Sequence, residues 1–214
     1  MRLVKNMKKT QNKWMTIPAK EIVENTIKSL NENGIETYFF EDEEDAKKKV
    51  YEILPKNAEI MNMTSMTLET LGISKEIVES GKYDSVRKKL MAMDAEKDKK
   101  RMNELGAAPE WSISSVSAVT QDGKLMIASN TGSQLSAAAY GAMNVVFVVG
   151  TQKIVKDIDG GFKRIYEHCL VLESERAKKA YGVEKSYVNK ILIINKEFNP
   201  KRIKLIFVNK VLGF

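Results

Sequence analysis

Apolar and polar residues follow two rhythms along this chain, one of helices and one of strands. In "IPAKEIVENTIKSLNEN" (17–33), Val23, Ile27 and Leu30 recur at helical spacing. Pro18 suits the first turn and Gly34 ends it. "IETYFF" (35–40) then predicts a strand, and "EDEEDAKKKVYEIL" a helix whose acidic start and basic continuation complement the helix dipole. Glu43–Lys47, Glu44–Lys48 and Asp45–Lys49 are expected to pair at i,i+4 along it. "AEIMN" (58–62) predicts a short strand, followed by helical segments around "MTLETLG" and "SKEIVES". The stretch 85–106 is highly charged and carries no strand signal. The expectation is a helical insertion over 74–106, with Met91 and Met93 as packing residues.

From Trp111 the rhythm changes. "WSISSVSAVT" and "KLMIAS" flank Gln121-Asp122-Gly123. An Asp-Gly pair between two β-prone runs predicts a hairpin, because both residues tolerate positive φ. A helix is expected near 133–141. "NVVFVVG" lacks alternation, as a strand covered on both faces does in a parallel sheet. Helices over "DIDGGFKRIYEH" and "ERAKKAYG" and strands over "KILIIN" and "IKLIFVN" complete the pattern. Alternating strands and helices with at least one antiparallel pair predict an α/β chain, read as a single domain over 1–214 with a basic segment at 1–16.

Composition narrows the chemistry. The 214 residues include one cysteine, Cys169, and one histidine, His168. An intrachain disulfide and most zinc ligand sets are therefore excluded. His168 and Cys169 are adjacent, so they do not face each other as base and nucleophile. The net charge of +7 is spread over many lysines without an arginine-rich helix, so a solvated surface is expected and nucleic-acid binding is not. No apolar run approaches the roughly 20 residues of a membrane span, and the N-terminus lacks a signal-peptide core; a cytoplasmic protein is expected.

Two stretches have the composition of a ligand site. "NMTSMTLETLG" and "SNTGSQLSAAAYG" each run from a strand through small hydroxyl residues into a helix. In open α/β sheets, ligands gather where such connections meet, and free N–H groups at helix starts attract anions. Thr64, Ser65, Ser117, Asn130, Thr131, Gly132 and Ser133 are the candidate ligand-binding residues. The same residues are ordinary helix caps, with Gly132 supplying a turn conformation, and both readings stand. No catalytic residue and no cofactor is assigned.

"NMTSMTLETLGI", "SVSAVTQDGKLMIASNTGSQLSAAAYGAMNVVFVVGTQKIVKDIDGGFKRI" and "IKLIFVNKVLGF" together resemble the LUD family of lactate utilisation proteins, formerly a domain of unknown function. The resemblance runs from about Trp14 to Phe214. It implies a Rossmann-like mixed sheet of the NagB/RpiA/CoA-transferase type. It also implies a link to lactate oxidation beside iron–sulfur oxidoreductase partners. The chain departs from its relatives at three places. Met63 and Thr64 replace two glycines, Gly132-Ser133-Gln134 lacks an arginine, and "AYGVEKSYVNK" lacks cysteines.

Three functions follow as expectations. The first is an accessory or small-anion-binding protein linked to organic-acid utilisation. The second is an enzyme acting on a phosphorylated or CoA-linked metabolite. The third is an oligomeric interaction protein with a vestigial pocket. A glutamate-type CoA transferase is disfavoured, because Glu110 is the one glutamate in 110–150.

Overall fold

The structure, a computed structural model, describes residues 13–214; most of the basic segment expected at 1–16 lies outside the described residues. Helix α1 (Lys20–Glu32) buries Val23, Thr26 and Leu30. Pro18 precedes it, and Gly34 follows with φ of 79°. Strand β1 (Glu36–Phe40) leads to α2 (Glu43–Ile53), which Asp42 caps by accepting from the Glu44 N–H at 2.7 Å. The salt bridges of α2 form at i,i+3, as Glu44–Lys47, Asp45–Lys48 and Lys49–Glu52, and not at the i,i+4 pairs expected. Both spacings bring side chains onto one helix face, so charge order alone does not choose between them.

Strand β2 (Glu59–Asn62) is followed by α3 (Met66–Thr70) and α4 (Ile73–Glu79). Edge strand β3 (Asp84–Ser85) precedes α5 (Val86–Met91) and α6 (Lys99–Ala107). The charged stretch is therefore helical apart from turns over 92–98, with a two-residue strand at its head that its composition does not betray.

Strand β4 (Trp111–Ser114) is separate from β5 (Ala118–Thr120), which pairs antiparallel with β6 (Leu125–Ser129). The expected single strand across 112–119 is thus two strands in two different sheets, broken at Ser115-Val116-Ser117. The hairpin is present, but its turn differs from expectation. Gly123 takes φ of 81° while Asp122 does not enter the positive range. Thr120 pairs with Lys124, and the Gly123 N–H bonds the Thr120 carbonyl at 2.9 Å. This is the three-residue hairpin loop with glycine at its left-handed position.

The chain continues through α7 (Ser133–Ser136), a π-turn at Ala137–Gly141 and β7 (Asn144–Gly150). Strand β8 (Ile154–Val155) then leads to α8 (Ile158–Arg164), a second π-turn (Ile165–Cys169) and α9 (Leu170–Tyr181). The two helices expected over this region are one unbroken helical run. Strands β9 (Lys190–Ile194) and β10 (Ile203–Val208) close the fold.

Among the described residues two sheets form. One is six-stranded in the order β1-β10-β7-β4-β2-β3, with every pair parallel. The other is β8-β5-β6-β9, and the antiparallel pairs lie there. In β7, Val145, Phe147 and Val149 join one core while Val146 and Val148 join another. A strand buried on both faces has no polar side to show, which explains its unbroken apolar run. The first core lies between the two sheets and includes Leu30, Val119, Leu125 and Ile127. The second lies under α2, α3 and α4. A third, around Met126, Ala118 and Ile165, covers the outer face of the small sheet.

From β2 the chain steps outward to β3, whereas from β4 it steps the opposite way to β7. The reversal leaves a crevice beyond the carboxyl ends of β2 and β4, where open α/β sheets bind ligands.

Candidate functional site

A cleft of about 970 Å³ opens at this point, at the upper end of the size range for small-molecule sites. Its lining brings together Thr64, Ser65, Ser117, Asn130, Thr131 and Ser133, six of the seven candidates, from segments distant in sequence. Gly132 lies within the turn but is not part of the lining.

Each turn also has a structural explanation. Ser65 caps α3 by accepting from the Leu68 N–H at 3.4 Å. Thr131 Oγ1 accepts from the Ser133 N–H at 3.3 Å and donates to the Ser133 hydroxyl at 3.1 Å. Ser129 Oγ accepts from the Gly132 N–H at 2.9 Å. Asn130 accepts from the Asn189 side chain at 2.7 Å, and Ser117 Oγ accepts from the Ala128 N–H at 3.1 Å. Gly132 takes φ of 89°, and an added Cβ would lie 2.7 Å from the Lys190 side chain. The Lys190 ammonium in turn donates to the Thr131 carbonyl at 2.6 Å. The two stretches are thus both caps and cleft walls.

The residue that sets the chemistry of the cleft carries no role in the sequence reading. Lys153 follows β7 in a short 3₁₀ turn, lines the cleft and is 1% exposed. Its Nζ has four oxygens within hydrogen-bond distance for its three N–H groups: Ser115 Oγ at 3.1 Å, Thr67 Oγ1 at 3.2 Å, the Val116 carbonyl at 3.1 Å and a main-chain oxygen of Phe214 at 3.0 Å. Among the described residues no Asp or Glu side chain comes within ion-pair distance of it. Burial, with the Arg164 charge nearby, lowers its pKa from 10.5 to about 7.

Arg164 is wholly buried, and among the described residues no Asp or Glu side chain pairs with it. Its guanidinium bonds the Ser117 carbonyl and lies 3.0 Å from Cys169 Sγ, while Nε and Nη2 have no hydrogen-bond partner among the described residues. His168 is buried in the adjoining π-turn. Desolvation, then the Arg164 and Lys153 charges, push its pKa down to about 4, so it is neutral at physiological pH. Such π-turns recur at functional sites; this one places Cys169 on the cleft wall and His168 in the interior. Both residues are buried, within a continuous helical run.

Burying cations is costly unless an anion compensates. A basic residue inside the apolar run "NVVFVVGTQKIV", and another in "GGFKRIYEHC", are the sequence signals that could have marked Lys153 and Arg164. Among the described residues no group of three or more His, Cys, Asp or Glu side chains is placed to hold a metal ion. In the same residues no helix is long and apolar enough to cross a membrane.

A parallel α/β sheet with a basic-floored cleft at its topological reversal defines the class: a Rossmann-like α/β protein. Residues 23–209 match the model of the LUD domain, so the chain belongs to the LUD domain family. No curated protein matches it. Among solved structures it is similar to a DUF162 family protein from Deinococcus radiodurans, with a TM-score of 0.53 and 10% sequence identity over 90% of this chain and 100% of that one. At that identity the likeness shows the fold alone.

Proposed function

We propose that this LUD-family chain is a small-anion-binding accessory protein of organic-acid metabolism, holding a carboxylate- or phosphate-bearing metabolite in the cleft beyond β2 and β4. The observation that carries the reading is Lys153, a buried amine on the cleft lining with no Asp or Glu side chain to balance it. The Thr64, Ser65, Ser117, Thr131 and Ser133 hydroxyls line the same cleft as neutral polar groups. Family membership supports a link to lactate utilisation, with iron–sulfur oxidoreductases as partners in the cytoplasm. Self-association belongs to the same proposal.

The test is a melting series with lactate, pyruvate, phosphate and CoA on the wild type and on Lys153→Met. At a hundredfold excess over Kd, binding stabilises by about 2.7 kcal/mol. A domain of this size should then melt several degrees higher. The wild type is expected to shift with at least one of these anions and Lys153→Met with none. Equal shifts in both proteins would remove Lys153 from the account, and no shift in either would favour the interaction-protein reading.

A further inference from the structure

We propose that Lys153 captures the carbonyl carbon of a small anionic aldehyde or ketone as an imine on the cleft lining. The inference rests on the anion-binding reading for what draws the ligand in, and on three observations for the chemistry. Lys153 lines the cleft yet is 1% exposed, so it meets a bound ligand while bulk water is held away.

Its partners also suit a neutral amine as well as an ammonium. The Val116 carbonyl and a Phe214 main-chain oxygen accept N–H bonds, and the Ser115 or Thr67 hydroxyl can turn to donate to the lone pair. Ser115 itself lines the cleft, placing a proton carrier beside the reacting nitrogen.

The titratable groups around the amine act in both directions: Arg164 on α8 lowers its pKa, Cys169 in the following π-turn raises it by a smaller effect, and His168 in that turn stays neutral. The hydrogen-bonding residues of α3 and the β4–β5 connection are hydroxyl or backbone groups. A lysine that is desolvated and placed next to another cation is the environment that makes an amine nucleophilic near neutral pH. With its pKa near 7, about half of the amine is unprotonated at neutral pH.

The step balances without an added reagent. The Nζ lone pair forms a bond to the carbonyl carbon, and the two amine protons leave with the carbonyl oxygen as water. The product is a C=N bond that water reverses.

Glyoxylate with sodium cyanoborohydride at pH 7, followed by peptide mass mapping of the intact wild-type chain, tests the proposal. Glycolate, the same anion without the carbonyl, is the competitor. Lys153 should be carboxymethylated on the order of a hundredfold faster than surface lysines such as Lys28 and Lys75, whose side chains are exposed. Its labelling rate should reach half its maximum near pH 7, and glycolate should slow it. Labelling of exposed lysines with Lys153 unmodified would overturn the imine, whatever glycolate does. If glycolate also raises the melting temperature in that case, the anion-binding reading survives alone. Selective labelling that glycolate neither slows nor accompanies with stabilisation would keep the reactive amine and remove the anion-binding reading.

Discussion

Replacing Lys153 with Met keeps the length of the side chain and removes its charge, and the consequence depends on pH. In the folded protein burial lowers the amine from 10.5 to about 7, whereas in the unfolded chain it titrates as an ordinary lysine. Between those values the unfolded chain holds a proton that the folded chain has lost. Stability therefore rises with pH across the window from about 7 to 10.5 and is flat in this contribution on either side. One proton corresponds to about 1.4 kcal/mol per pH unit, so the whole window is worth about 4–5 kcal/mol. Denaturant unfolding of wild type and Lys153→Met from pH 6 to 10 isolates it, because tyrosines and surface lysines titrate alike in both proteins. Relative to wild type, Lys153→Met should lose about 4 kcal/mol of advantage between pH 7 and 10. At pH 6 it should be no less stable than wild type, since a buried cation with no Asp or Glu side chain to balance it has been replaced by an apolar chain of similar volume. Parallel profiles would mean that Lys153 keeps an ordinary pKa and is fully compensated where it lies.

Arg202→Ala should cost about 3–5 kcal/mol, read as a fall in melting temperature. It strands Glu197, a largely buried partner at 2.7 Å, and uncaps the carbonyls of Ala137, Ala138 and Ala142 around the first π-turn. Gly123→Val should destabilise by about 2 kcal/mol or more, because it combines positive φ with a Cβ placed 2.6 Å from the Ser29 backbone. Wild-type unfolding in urea would check it against Lys124→Ala, which leaves the turn geometry intact. Gly132→Asp should abolish the ligand-induced melting shift, since it puts bulk and negative charge in the cleft-wall turn. The shift must be compared within each variant, because the left-handed φ of 89° makes this substitution intrinsically destabilising as well.

Much of the fold was legible because period and burial coincide in it. The unbroken apolar run of β7 announced a parallel strand covered on both faces, and Asp122-Gly123 announced a hairpin. The break between β4 and β5 was not legible, since Ser115-Val116-Ser117 continues the same β-prone pattern while the chain changes sheets. The turn type escaped for a related reason: Asp-Gly serves both the two-residue loop and the three-residue loop seen here. Helices α8 and α9 read as separate because the π-turn between them shifts the apolar face by one residue. At the site, the hydroxyl turns were visible as composition. Lys153 was not, because a lysine in sequence is exposed by default and only the topology shows that the β4–β5 connection, α3 and the 212–214 segment close over it.

The most direct measurement is a crystal structure of the protein soaked with the anion that stabilises it best. The account predicts density for its carboxylate or phosphate in the cleft beyond β2 and β4, within hydrogen-bond reach of Lys153 or Ser115 and flanked by the turns at 64–65 and 131–133. An anion bound elsewhere on the lysine-rich surface, with the cleft holding only water, would contradict it.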